Sequence, residues 1–119
     1  YSNMTYHGIV VNKSLKDESI FKVVKILNKK IDGDWVLYKV EIEKTNLAKA
    51  IKILAQTLKE KFYAHFYYGQ ELIVIFARRH FSISTDPSTW KSAIEYGESI
   101  GIPKAQLDFV PNTIEDETF

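Results

Sequence analysis

The residues best placed to do chemistry are a histidine and the two tyrosines beside it. His65 stands between Tyr63 and Tyr67 at strand spacing, so the three side chains share one face of an extended segment. An imidazole buried there has a pKa open to tuning, and two phenols can position a substrate or relay a proton. No carboxylate lies at a diagnostic spacing to orient the ring. A core histidine bonded to a tyrosine or a backbone carbonyl is therefore the weightier reading. Arg78-Arg79-His80 forms a small basic cluster that can grip a phosphate or carboxylate. Its plain reading is a solvated turn whose charge protects a sheet edge. His7 and His80 fall in other strands, and no H-x-x-x-H or H-x-H pair occurs, so no metal site is expected. The phosphate-binding glycine loops and the G-x-S-x-G elbow are missing as well.

The chain that must hold these groups has 119 residues, enough for one hydrophobic core without staples. Its 45% hydrophobic and 26% charged residues are ordinary for a globular domain. The lack of cysteine excludes disulfides, thiolate metal sites and thiol nucleophiles, and fits a cytoplasmic setting. No apolar run approaches the roughly 18 residues that span a bilayer, so no membrane partner is expected. Sixteen basic and fifteen acidic residues leave a net charge of +1, which advertises no polyanion. Exposed aromatics on a sheet, here Tyr63, Tyr67 and Phe76, are also how RNA-binding domains stack bases. The matching basic-glycine-aromatic segment is absent, and nucleic acid is not expected as a partner. Residues 1–3, ahead of Met4, look like an expression-tag remnant, residues 4–110 make one domain, and residues 111–119 form an acidic tail.

Thr5 to Val11 reads as a first strand. Ile20, Val23, Val24 and Leu27 recur at helical spacing with lysines opposite, which predicts a helix near 18–28; the β-branched residues leave a strand open. After the turn Asp32-Gly33-Asp34, alternation from Val36 to Ile42 predicts a strand. Thr45 or Asn46 then caps a helix to about Glu60 with the stripe Leu47, Ile51, Leu54, Ala55 and Leu58, leaving Ile53 exposed. Phe62–Tyr68 and Leu72–Ala77 form a hairpin about Gly69-Gln70, of the type II′ that prefers glycine first. Arg78-Arg79 turns the chain into His80–Ser84. Asp86-Pro87 starts a second helix that Gly101 ends, and Leu107–Val110 is a last short strand. The expected fold is α+β: a ferredoxin-like βαββαβ core, an antiparallel sheet with two helices, preceded by an extra strand and helix.

The hairpin is apolar on both sides. One face carries Phe62, Ala64, Phe66, Ile73 and Ile75; the other carries Tyr63, His65, Tyr67, Leu72, Val74 and Phe76, with Phe81 and Ile83 joining it. A ferredoxin-like pair of helices covers one face only. The second then needs the N-terminal strand and helix, a second copy of the chain, or a ligand.

The segments Phe62–Tyr67, Glu71–Phe76, Ser88–Gly97, Gly101–Pro103 and Gln106–Phe109 resemble a family of short, uncharacterised prokaryotic proteins over nearly the whole chain from Met4. The resemblance implies a stand-alone domain and brings no catalytic residue with it. Within it, His65, Tyr96 and Asp108 are the polar residues to inspect, Tyr96 also as the surface on which Ile102 packs at the helix end. The expected function is a small soluble binding or interaction module, a homodimer joined through the second sheet face. Tyr63, His65, Tyr67, Arg78, Arg79 and Tyr96 are its candidate ligand contacts, for a small molecule, and no cofactor is expected. The competing class is a small enzyme using His65 as acid or base on an anionic substrate held by Arg78 or Arg79.

Overall fold

The computed structural model describes residues 5–107 and 109. Its strands are β1 (Thr5–Val11), β2 (Lys25–Asp32), β3 (Trp35–Glu43), β4 (Tyr63–Tyr68), β5 (Glu71–Phe76) and β6 (Arg79–Ser84). They form one sheet in the order β2-β3-β1-β4-β5-β6. Every neighbouring pair is antiparallel. Two helices, α1 (Lys44–Thr57) and α2 (Lys91–Ser99), complete an α+β architecture.

The strand order is not that of a ferredoxin-like core. In that core β5 would lie between β3 and β4, the strands on either side of α1; here β1 holds the place and pairs with both, while β5 pairs with β4 and β6. The helices also lie on opposite faces. Under α1, the side chains of Tyr6, Val10, Val40, Ile42, Ala64, Phe66, Ile73 and Ile75 meet Leu47, Ala50, Leu54 and Leu58. Under α2, Tyr67, Leu72, Val74 and Phe76 meet Trp90, Ala93, Ile102, Leu107 and Phe109. Central strands that are apolar on both sides need a cover on each, and one helix per face supplies it. The second face is thus closed by α2 and the turns around it. None of the three covers expected from the sequence has that place, and the bare face that motivated a homodimer does not exist over β4–β6.

The N-terminal segment goes to the other side. Leu15, Ile20 and Val24 pack with the α1 cluster. The helix expected near 18–28 is instead a short 3-10 turn, Ser19–Lys22, followed by strand β2. Val23, Val24, Ile26 and Ile31 are β-branched, stiff in a helix and at ease in a pleated ladder. The loop that folds β2 onto β3 is Gly33-Asp34, with Asp32 opposite Trp35 and Gly33 at φ 62°. A glycine-first loop with a positive φ is the same solution as at Gly69-Gln70 (φ 57°) between β4 and β5. β2 is an edge strand, and its ladder slips between Ile26 and Asn28. Asn28 Oδ1 accepts the Lys29 backbone N–H at 2.9 Å.

Four smaller differences have local causes. Helix α1 starts at Lys44 with Glu43 as its uncapped flank, so neither Thr45 nor Asn46 caps it. It stops at Thr57 rather than Glu60, because the backbone beyond is taken by the N-terminal segment: Lys16 N–H donates to the Thr57 carbonyl and Lys59 N–H to the Ser14 carbonyl. Its buried line is Leu47, Ala50, Leu54 and Thr57, which turns Ile53 partly into the core. The turn before β6 is Ala77-Arg78, one residue earlier than expected, with Phe76 opposite Arg79. Relative to the expected pairing β6 slips by two residues, so Phe81 and Ile83 keep their face. Arg78 takes φ 72°, the left-handed region, alone among the described non-glycine residues.

Around α2 the expected end signals operate. Asp86 Oδ1 accepts the Ser88 N–H at 3.0 Å, opening a 3-10 turn (Pro87–Thr89) before the helix proper. At the far end, Ile102 N–H donates to the Gly97 carbonyl and Gly101 N–H to the Glu98 carbonyl, with Gly101 at φ 96°. That is a Schellman closure. Of the last expected strand, Leu107 and Phe109 are not extended-ladder residues. Asp108, Val110, the acidic tail and residues 1–3 lie outside the described residues.

Candidate functional site

The pairing of β1 with β4 decides what surrounds His65. Ile9 sits opposite His65 and His7 opposite Tyr67. On its other flank, β1 sets Val11 opposite Leu37 and His7 opposite Glu41. Alternation therefore brings Ile9, Val11 and His65 to the α2 side of the sheet, next to Trp35 at the start of β3. Helix α2 is only nine residues long and stands over β5 and β6. Beyond its edge the same face stays partly open.

A cleft of about 330 Å³ occupies that opening. Ile9 and Val11 line it from β1, Trp35 from β3, Tyr63 and His65 from β4, Lys61 and Phe62 from the connection before β4, and Gln106 from the turn after α2. Trp35 and Phe62 make an aromatic corner, with ring centroids 5.8 Å apart and planes at 48°. The Tyr63 hydroxyl donates to the Gln106 carbonyl at 2.7 Å, which ties the segment after α2 to the cleft wall. The Tyr63 ring is also held edge-on by Phe109 at 5.4 Å.

His65 is hemmed in by packed atoms on most sides while part of its surface stays open. Burial pushes its pKa from 6.5 down to about 4. The ring is neutral at physiological pH. It lies 5.9 Å from Tyr67, tilted by 32°, and makes no hydrogen bond to any described residue. Tyr67 itself is 2% exposed and belongs to the core beneath α2. Of the expected trio, Tyr63 and His65 share the cleft, and Tyr67 backs it. Phe76 is closed off as well, so of the three aromatics named for base stacking only Tyr63 stays partly open.

The remaining candidates are elsewhere. The Arg79 guanidinium lies over the Phe81 ring at 4.7 Å and the Tyr96 ring at 5.4 Å. Tyr96 packs on Phe76 and Phe81, and its hydroxyl donates to the Ala77 carbonyl at 2.9 Å, so it pins the β5–β6 turn to α2. Arg78 is on the α1 side: its N–H donates to the Ala55 carbonyl, and its guanidinium pairs with Glu60 at 2.6 Å. The pair holds the Glu60 carboxyl below its ordinary range and the guanidinium above its own. A second cleft, of about 380 Å³, lies there with Lys16, Lys52 and Arg78 on its rim. Neither arginine lines the His65 cleft.

Sequence reading missed Ile9, Val11, Trp35, Lys61, Phe62 and Gln106. Only Trp35, a large aromatic beside a glycine turn, carried a local signal; Ile9 and Val11 depend on β1 entering the sheet between β3 and β4. Among the described residues, no three His, Asp or Glu side chains gather to hold a metal ion, and no helix is long and apolar enough to cross a membrane. Comparison with known protein families, with curated proteins and with solved structures finds no match.

Proposed function

We propose that the chain is a binding module whose working site is the His65 cleft, taking a small molecule with an apolar or aromatic body. The observation that carries this reading is the cleft itself: an open volume of about 330 Å³ walled by Ile9, Val11, Trp35 and Phe62, with a neutral imidazole inside. Concave, mostly apolar pockets of a few hundred Å³ with few polar groups are the common form of small-molecule sites. The cysteine-free composition supports a cytoplasmic setting for it.

The catalytic alternative has less support. A base with a pKa near 4 is a weak proton acceptor at neutral pH. No described carboxylate is bonded to His65, and the two arginines expected to hold an anion face other surfaces. Self-association also loses its premise with α2 over the second face, and light scattering is expected to return the mass of one chain at every concentration tested.

The test is an amide-shift titration of the whole chain with 4-phenylbutyramide, a neutral aromatic probe. Shifts centred on Ile9, Val11, Trp35 and His65 near about 1 mM probe are expected, and Trp35→Ala should weaken them several-fold. Shifts centred on the Lys16/Lys52 cleft, or none at all, would overturn the reading.

A further inference from the structure

The polar groups of the cleft are few, and they have one sign. Among the described residues, Lys61 is the sole charged one in its lining, and no described carboxylate lies within ion-pair distance of it. The Tyr63 hydroxyl is spent on the Gln106 carbonyl. The His65 ring retains its hydrogen-bonding capacity, having no bonded partner among the described residues. A neutral imidazole carries one N–H donor, which suits an acceptor on a ligand. The rest of the lining, Gln106 and the Tyr63 hydroxyl apart, is hydrocarbon and aromatic ring. Among the described residues, no acidic side chain lines the space to repel an anion.

We infer that the ligand of this cleft is an amphipathic carboxylate, an aryl or short acyl acid whose apolar body lies against Trp35, Phe62, Ile9 and Val11 while its carboxylate meets Lys61 and the His65 N–H. The inference rests on the binding reading above and narrows it to a chemical class. Size agrees. At about 30 Å³ per water-sized unit, 330 Å³ holds about a dozen non-hydrogen atoms. A cation placed at the mouth of an apolar slot discriminates between a carboxylate and its neutral amide, because the two differ little except in charge. The other cationic cleft, at Lys16 and Lys52, has Glu60 already paired with its arginine and no aromatic wall. Its apolar lining is Ala55, Leu58 and Ala77, with no ring for a ligand to stack on.

The experiment compares 4-phenylbutyrate with 4-phenylbutyramide on the whole chain, by the same amide-shift titration. The carboxylate should bind about fivefold more tightly, the scale of one partly exposed ion pair with a charge-assisted hydrogen bond. Lys61→Gln should bring the ratio below about two, Lys61→Arg should restore most of it, and Lys52→Gln should leave it unchanged. Melting curves of the variants check that the exposed substitutions leave the fold intact. Equal binding of acid and amide by the native chain would overturn the carboxylate class and leave the binding reading standing. A ratio that survives Lys61→Gln would overturn it too. Failure of both probes to shift the cleft would remove both readings together.

Discussion

The two faces of the sheet are closed to different extents. The face under α1 is sealed by a helix of fourteen residues, reinforced by Leu15, Ile20 and Val24 from the N-terminal segment. The face under α2 has a helix of nine residues and a few turns. That cover suffices for β4 to β6 and runs out over β1 and β3, which is where the cleft lies. A fully covered face builds stability. A partly covered one leaves room for a ligand, at the cost of apolar surface left wet.

A single methyl group placed on each face should break this comparison open. Gly8 sits on the α1 face, where an added Cβ would come within 2.5 Å of the Phe66 ring and 2.6 Å of the His65 carbonyl oxygen. A carbonyl fixed in the β1–β4 ladder cannot step aside. Gly8→Ala is expected to lose about 3 kcal/mol in urea unfolding. Gly97 is its counterpart under α2, where a Cβ would come within 2.6 Å of a Leu107 methyl and 3.2 Å of the Phe76 ring. Leucine can rotate, and alanine favours the helix, so Gly97→Ala should lose about 1 kcal/mol. Equal losses would mean that the two faces are equally tight, and a larger loss at Gly97 that the α2 face is the tighter one.

Acid should act on the open face through His65. As pH falls from 6.5 towards 4, the unfolded chain binds a proton at this imidazole while the folded chain does not. Stability contributed above 6.5 is then lost across that window, by about 2 kcal/mol once solvent access to the half-buried ring is allowed for. His65→Phe should remove this part of the pH dependence, read as the difference between the two unfolding profiles, which cancels the carboxylates common to both. Parallel profiles would show that the ring is wetter than its surroundings imply.

The smallest expected effect is at the β5–β6 turn that joins the faces. Arg78 holds a left-handed φ of 72°, which costs an L-residue about 1 kcal/mol. Its exposed pair with Glu60 returns little. Arg78→Gly should therefore match the native chain within about 0.5 kcal/mol, and Arg78→Ala should fall about 1 kcal/mol below Arg78→Gly. Equal values for the two variants would show that the turn tolerates its φ without strain.

What the sequence disclosed was whatever is decided locally. The β4–β5 register, the pairs Tyr67 with Leu72 and His65 with Val74, and the α2 closure at Gly101 follow from neighbouring residues. The β2–β3 hairpin has the same glycine-first loop as β4–β5, yet it was hidden by a helical recurrence of Ile20, Val23, Val24 and Leu27. Ile20 lies in a 3-10 turn packed on α1, Val23 and Val24 in the connection after it, and Leu27 in an edge strand. The site was the least legible part. His65 and Tyr63 were visible as a strand face, but their neighbours Ile9, Val11 and Trp35 come from strands distant in the chain, and no local pattern places β1 between β3 and β4.

The edge strand β2 carries one more consequence. Its ladder slips at Leu27, the Asn28 side chain has claimed the Lys29 N–H, and Lys25, Lys29 and Lys30 stand along it. A second copy aligned on this edge would meet a kinked backbone, a missing donor and a row of like charges. Ile31 and Trp35 are exposed close by, so an undefended edge here would be a place for sheets to grow from chain to chain. The bulge and the lysines work against strand addition at this end of the sheet, where apolar side chains stay wet near the cleft.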